Sequence, residues 1–291
     1  MKQLNKNTRT ASMVFSQTEL GFTLVELLVG LFISLFIVAG AATFLVTSSR
    51  TLVNQSSEDL IQENARFAFE IMSSNIRLAG LSQSSNLNVD SEGIFDNAIC
   101  PIDGGTSDCN NNGLMYTLNG DDIDYDSVGF DYIIDSGITC VGDTISQETK
   151  VITSFFVADL DGDNIASLYC RSFESQLNPI TSNFDTFTEG DSSPLAIIDG
   201  IDSMQIQYGI DSNGNGIERY SSYNNVTDAD KPNVRAIKIG LLVSSGQTVV
   251  GEQNVVSNET RIYRLFDSVN DITDTLLRQI YSTTIFLPNK S

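Results

Sequence analysis

The stretch that decides the fold lies near the N-terminus. Residues 21–26 read GFTLVE, and residues 27–46 continue as LLVGLFISLFIVAGAATFLV. Within residues 22–46, Glu26 is the single charged side chain. About 20 apolar residues are enough for a helix to cross a bilayer. Residues 22–46 are therefore predicted to form a membrane-spanning helix that carries one acid at its start.

The charges around this segment predict its orientation. Lys2, Lys6 and Arg9 precede it, and Glu19 is the one acid among residues 1–21. Basic flanks stay on the cytoplasmic side of a membrane, so the remainder of the chain is predicted to be exported.

Two ordinary explanations fit the segment poorly. A secretory signal peptide has a shorter apolar region that ends in a small-residue cleavage site, whereas here the glycine comes first. A simple membrane anchor has no use for Glu26, because an acid at the centre of a membrane helix costs about 2.5–3.5 kcal/mol on insertion scales. An acid within a membrane segment therefore suggests a functional role.

The hexapeptide GFTLVE resembles the prepilin cleavage and methylation motif of type IV pilins and pseudopilins. The resemblance implies that a prepilin peptidase cuts after Gly21 on the cytoplasmic side and that Phe22 is then N-methylated. Glu26 matches the family's assembly residue. Residues 1–21 are then a cleaved leader, which is long for the family, and translation could start at Met1 or at Met13.

Simple electrostatics supports that role. Cleavage leaves a positive amine on Phe22, about one helical turn from Glu26. In a filament, the carboxylate of one subunit can meet the amine of its neighbour in a dry core, where a paired charge is tolerated and an unpaired one is costly.

An apolar stripe at helical spacing predicts that the helix continues as an amphipathic segment over residues 47–80, ending near Gly80. Leu60, Phe67, Ile71 and Leu78 are expected to widen this stripe. The stripe consists of Ile61, Ala65, Ala68, Met72, Ile76 and Ala79.

Residues 81–291 are predicted to form an exported head of antiparallel β-sheet, because short alternating runs are separated by polar turns. A long helix followed by antiparallel sheet gives an α+β, type IV pilin-like fold. The predicted strands are 113–118, 128–134, 150–158, 165–170, 196–198, 203–210, 234–244, 261–266 and 278–287.

Three stretches of the head resemble the PilW-type minor pilins: residues 207–211, 234–243 and 278–289. The resemblance implies a low-abundance subunit that primes pilus assembly with other minor pilins and the major pilin, at the inner-membrane assembly platform. It also implies a place at or near the pilus tip, often supporting a PilY-type adhesin. The subunit would wait as a single-pass inner-membrane protein with its head in the periplasm before entering the pilus.

Two other functions remain open from the sequence. The same fold would suit a minor pseudopilin of a type II secretion system, similar to the J-type subunit. The head could instead be a tip module that binds a surface or ligand, using loops such as residues 220–226. The identity of the neighbouring genes would distinguish a secretion pseudopilin from a pilus subunit. Binding of a surface or ligand by the head would favour the second alternative.

Composition argues against catalysis and nucleic-acid binding. The chain has no histidine, which removes the commonest general base and zinc ligand. It also lacks nucleotide-binding and hydrolase motifs. With 37 acidic and 16 basic residues, the net charge of -21 disfavours direct contact with nucleic acid. The chain is predicted to be structural and not an enzyme.

Four cysteines, Cys100, Cys109, Cys140 and Cys170, fit disulfides in an oxidising compartment. Three pairings are open, and Cys100–Cys109 with Cys140–Cys170 is favoured because each closes a plausible loop.

Two acidic loops are candidate calcium sites. The first, residues 211–218, follows the first half of a calcium loop, with oxygen ligands expected from Asp211, Asn213, Asn215, the Ile217 carbonyl and Glu218. Its twelfth position is Ser222 in place of glutamate, so Glu218, Asp228 or Asp230 would have to complete the shell. A hairpin turn is the alternative, because Asn-Gly favours turns. The second, weaker candidate contains Asp159, Asp161 and Asp163.

Overall fold

The computed structural model describes residues 21–82, 127–163, 165–178, 184, 187–190, 193–227, 229–245, 259–274 and 276–289. The chain forms two compact units that divide between Ser49 and Arg50. Helix α1, Leu24–Ile76, runs through this division. The predicted strand 113–118 and the cysteines Cys100 and Cys109 lie outside the described residues.

The first part of α1 carries apolar side chains that are exposed on every side. Two of its hydroxyl groups bond to the helix backbone itself. Ser34 donates a hydrogen bond to the Leu31 carbonyl and Thr43 donates to the Gly40 carbonyl, each at 2.9 Å. Neither hydroxyl therefore needs water as a hydrogen-bond partner, which is what a helix in lipid requires.

The second part of α1 packs against the head through the predicted stripe, and every stripe residue is buried. Leu60 and Phe67 do not widen this stripe, because they are 41% and 44% exposed on one flank of the helix. Ile71 and Leu78 are partly buried and pack against the core, as predicted.

The helix ends at Ile76, four residues before the predicted stop. Residues 77–80 form turns, and the Gly80 amide donates to the Asp131 carbonyl at 3.0 Å. Gly80 has a φ of 76°, a left-handed conformation that glycine adopts readily. The chain therefore leaves the helix early because its backbone begins to bond to the neighbouring strand.

Thirteen strands make up the described part of the head. They are β1 Val128–Ile134, β2 Gly137–Ile138, β3 Thr144–Ile145, β4 Thr149–Ala158, β5 Ser167–Gln176, β6 Thr188–Glu189, β7 Leu195–Asp199, β8 Ile201–Ile210, β9 Arg219–Ser221, β10 Val234–Ser244, β11 Glu259–Leu265, β12 Ser268–Asp274 and β13 Arg278–Phe286.

Every pairing between these strands is antiparallel. The first sheet has the order β1-β4-β5-β6, with β7 also pairing with β5, and the second has the order β13-β10-β8-β9. β11 with β12 and β2 with β3 form separate two-stranded ribbons. One hydrophobic core joins the α1 stripe to side chains of both sheets, including Phe130, Tyr132, Met204 and Ile239. The predicted α+β architecture is confirmed.

Gly200 is the point at which the chain passes from the first sheet to the second. Its φ is 80°, and a Cβ there would lie 2.9 Å from the Ser244 carbonyl oxygen. The Gly200 and Ile201 amides both donate to the Ala166 carbonyl, while the Ser244 amide donates to the Gly200 carbonyl. Only glycine fits here without strain, and the contact fixes the two sheets around the core.

A buried ion pair closes the same corner of the head. The Arg278 guanidinium at the start of β13 donates to the Asp202 carboxylate on β8, and both side chains are largely buried. The Ser244 hydroxyl donates to the other Asp202 oxygen at 2.9 Å. Further hydrogen bonds of this kind reduce the desolvation cost of a buried ion pair.

Most predicted strands are found, with shifted ends. The strand predicted at 165–170 begins later, at Ser167, because the Ala166 carbonyl is occupied by the Gly200 corner, and it extends to Gln176. β12, β9 and the two-residue strands were not predicted. β12 reads SVNDITD and contains Asp and Asn, which are depleted in β-strands. It is a strand because it pairs with β11.

Candidate functional site

The N-terminus of α1 carries a capping box formed by Thr23 and Glu26. The Thr23 amide and hydroxyl both donate to Glu26 Oε2, each at 3.1 Å. The Glu26 amide lies 3.2 Å from the Thr23 hydroxyl oxygen. This reciprocal arrangement satisfies backbone donors that a helix leaves unpaired at its start. The T-x-x-E spacing would have revealed it in the sequence.

The capping box explains how an acid can sit at the start of an apolar helix. An amide and a hydroxyl donate hydrogen bonds to the Glu26 carboxylate, and the positive end of the helix dipole lies at the same place. The carboxylate is therefore held at the helix N-terminus, four residues from Phe22.

Gly21 and Phe22 precede the helix. The Phe22 side chain is 84% exposed, and a Cβ built on Gly21 would meet no heavy atom of the described residues within 4 Å. Packing within the described part of this chain therefore gives no reason for glycine at position 21. A requirement for glycine there would come from another protein that recognises the segment.

Among the described residues, α1 is the one helix long and apolar enough to cross a membrane. The apolar window lies near the N-terminus and has a mean hydropathy of 2.5. The single acid, the capping box and the apolar side chains thus form one continuous feature, which is the candidate site for membrane residence and assembly.

The structure joins Cys140 to Cys170 in a disulfide with a Cα–Cα distance of 6.3 Å. This is one of the two favoured pairings. Cys170 lies on β5 and Cys140 lies in the loop between β2 and β3, so the bond fixes that small ribbon to the first sheet.

The aspartates of the loop after β4 lie together. One carboxylate oxygen from each of Asp159, Asp161 and Asp163 lies within 4.8 Å of the others, and all three side chains are exposed. The Gly162 amide donates to Asp159 and the Ile165 amide donates to Asp163, at 2.9 and 2.8 Å. The three carboxylates could hold a metal ion, since oxygen ligands suit calcium.

The second loop, residues 211–218, connects β8 to β9 as a hairpin. The Gly214 and Gly216 amides both donate to the Asp211 carboxylate, and the Asn215 amide donates to the Asn213 side-chain oxygen. The Asn213 amide group donates to the Glu218 carboxylate. These bonds order the loop as a turn, and calcium binding by this loop stays a prediction.

Asp230 is engaged elsewhere. It accepts hydrogen bonds from Arg219 Nη2 at 2.6 Å and from the Thr227 hydroxyl and amide at 2.7 and 3.0 Å. The Arg219 hydrogen bond, followed by those from Thr227, lowers the pKa of Asp230 from 3.8 to about 2. Asp230 thus ties β9 to the turn before β10 and is not a spare calcium ligand. Asp228 lies outside the described residues.

The residues proposed for a binding loop, 220–226, partly serve the fold. The Tyr223 ring packs edge-on against the buried Tyr208 ring at a centroid distance of 6.4 Å. Tyr220 remains 39% exposed and lies over the Lys238 ammonium group at 5.5 Å.

Residues 154–289 match the family model for the type IV pilus-assembly protein W. The matched region covers slightly less than half of the chain, 136 of 291 residues. A type IV-like pilin from Thermus thermophilus is similar over 80% of this chain and 96% of its own, at 13% identity and a TM-score of 0.39. No curated protein sequence matches the chain.

The family match begins on β4, so it is independent of the GFTLVE segment at the other end of the chain. It spans the second sheet and the three stretches that resemble PilW-type proteins. The family match and the GFTLVE resemblance therefore lie in two separate parts of the chain.

The Asp230 ion pair predicts a pH dependence of stability. Because the pKa of Asp230 is lowered on folding, its contribution is present above the ordinary pKa near 3.8 and is lost as pH falls toward about 2. Replacing Asp230 with Asn should lower the free energy of unfolding at neutral pH, with the difference from wild type shrinking below about pH 4.

The measurement is chemical denaturation of the full chain in detergent across this pH range. The exposed Asp267→Asn is the matched control, for which no comparable difference is expected. A difference for Asp230→Asn that stays constant down to about pH 2 would contradict this explanation.

Proposed function

We propose that this chain is a prepilin. In this proposal a prepilin peptidase cleaves it after Gly21, Phe22 is N-methylated, and the mature subunit enters a type IV pilus as a minor pilin. It helps to prime assembly with other minor pilins and the major pilin, at or near the tip, and it has no catalytic activity of its own.

The observation that carries the proposal is the position of Glu26. Its carboxylate is held by the Thr23 amide and hydroxyl at the start of an exposed apolar helix. A helix that only anchored the chain would gain nothing from an acid that makes insertion costly. Pairing of this acid with a positive charge in a filament would compensate for the cost of inserting it.

Cleavage after Gly21 would supply the partner. The new amine on Phe22 is positive, and in a filament the amine of one subunit can approach the Glu26 carboxylate of the next. The carboxylate would exchange its capping hydrogen bonds for an ion pair in a dry environment, where unpaired charge is costly. This exchange sets the register between subunits and favours transfer of the helix from lipid to filament.

The PilW match supports a minor subunit, and the predicted orientation of the helix supports an inner-membrane precursor with its head in the periplasm. The disulfide between Cys140 and Cys170 suits that oxidising location. Priming, a tip position and support of a PilY-type adhesin extend the proposal beyond the family match. A J-type pseudopilin of a type II secretion system would use the same N-terminal chemistry.

Replacing Glu26 with Gln tests the role of the charge. Glutamine can still accept a hydrogen bond from the Thr23 amide, so helix capping is retained while the charge is lost. Membrane insertion and cleavage should be normal, and incorporation into sheared filaments should fall by about tenfold or more, in line with a lost buried ion pair. Quantitative immunoblotting of membranes and filaments measures both.

Ser34→Ala is the matched control, because it also removes a polar group from the apolar part of α1. Its hydroxyl bonds only within the helix, to Leu31, so incorporation should be unchanged. Normal incorporation of the Glu26→Gln chain would show that charge pairing does not drive assembly.

We also propose that calcium binds the loop of Asp159, Asp161 and Asp163, and more weakly the Asp211 loop. Binding to the folded chain would raise its thermal midpoint as calcium increases. Millimolar calcium should stabilise the full-length chain in detergent, and Asp161→Asn should reduce the shift. Asp267→Asn is again the control. A midpoint that does not respond to millimolar calcium would exclude such binding.

A further inference from the structure

The last strand of the head, β13, is an edge strand in the described structure. Its Leu277 carbonyl accepts from the Ser245 amide at 3.0 Å, and the Leu287 amide donates to the Arg235 carbonyl at 2.9 Å. Hydrogen-bonding direction alternates along an antiparallel strand, so odd-numbered residues face β10. The backbone groups of Ile280, Ser282, Thr284 and Phe286 therefore point to the opposite edge.

This edge lacks the usual protection against pairing. Natural edge strands carry charged residues, prolines or bulges that prevent association with another strand. Residues 279–286 read QIYSTTIF, with no charge and no proline, and the β10–β13 register has no bulge. By contrast, the β11–β12 ribbon contains several charged residues, among them Arg261, Arg264 and Asp271.

A cleft runs beside this edge. It lies between β13 and the second part of α1, with a volume of about 750 Å³. Its helix side includes Gln62, Arg66 and Phe69, and its sheet side includes Tyr281, Ser282 and Thr283. On the β13 edge itself, the Ile280 and Phe286 side chains are 41% and 64% exposed. The cleft can take the side chains of one face of an added strand.

We propose that the β13 edge binds an extended strand from a different subunit of the filament, which adds to the second sheet. Backbone hydrogen bonds would give affinity and the cleft beside α1 would accept alternate side chains, as in other cases of strand addition. Placing the partner in the filament rests on the proposed function. The geometry of the β13 edge does not depend on that function.

Charge selects the kind of partner. The chain carries a net charge of -21, so two copies pairing through β13 would bring together two strongly acidic bodies. The β13 edge is uncharged, so it does not itself require a charged partner strand. The added strand is therefore uncharged or basic and belongs to another protein, not to a second copy of this chain.

Amide hydrogen exchange tests the inference directly. Exchange is measured at single-residue resolution for the full-length chain in detergent and for the same chain in sheared filaments. The Ile280, Ser282 and Thr284 amides should exchange at least about tenfold more slowly in the filament, since added-strand hydrogen bonds protect them. Unchanged exchange at these amides, or slow exchange already in the isolated chain, would overturn the proposal.

Two substitutions complete the test. Ser282→Pro removes an amide that points away from β10, so the fold should survive while strand addition is blocked. Ile280→Lys puts a charge on the edge, and Val269→Lys on β12 is its matched control with similar exposure. Both edge variants should lose the protection in filaments or fail to enter them, whereas the control should behave as wild type.

A crosslinker at Ser282 identifies what lies at the edge. Crosslinks to a different filament subunit support the proposal, while crosslinks to a second copy or to another part of the same chain contradict it. If the wild-type chain never appears in filaments, the proposed function fails. If it appears there and the edge amides are unchanged, only the strand-addition inference fails.

Discussion

The hydrogen-bonded carboxylate of Glu26 at the start of an apolar helix is the constraint on which the functional interpretation depends. A charged group in this position is costly in lipid, and the capping box with Thr23 reduces that cost without removing it. Because part of the cost remains, pairing of Glu26 with a positively charged group would be favourable. In the proposed function, this arrangement would be stable enough for a subunit in the membrane and would still favour assembly.

The head, in contrast to the start of α1, is stabilised by contacts within its own chain. The α1 stripe enters one core with both sheets, Gly200 carries the chain from one sheet to the other, and Arg278 with Asp202 closes the same corner. The Cys140–Cys170 disulfide adds a covalent tie for the small ribbon. Such a unit can present the β13 edge and the aspartate loops as fixed surfaces.

Local patterns predicted much of this structure. The spacing of Ile61, Ala65 and Met72 predicted the buried face of α1, and the alternation in residues 234–244 predicted β10 with its observed bounds. Sheet membership could not be predicted, because strand pairing is non-local and no single strand encodes its neighbours. The Asp202–Arg278 pair joins residues 76 positions apart, and neither side chain is distinctive in the sequence.

The same distinction holds for the candidate site. Gly21, Phe22 and Glu26 were predicted from fixed spacing, and the roles given to them remain proposals. The calcium pattern in residues 211–218 could not be separated from a hairpin turn by sequence, since both use Asn, Asp and Gly to bond to nearby backbone amides. The structure also shows that Asp230 belongs to Arg219, which spacing alone could not show.

The most direct test of the central claim is the N-terminal peptide of the chain recovered from sheared filaments, determined by mass spectrometry. If the proposed function holds, the chain begins at N-methylated Phe22 and retains Glu26 four residues on. A filament-associated chain that begins at Met1 or Met13, or one cut after residue 46, would contradict it, because no Phe22 amine would then exist to pair with Glu26.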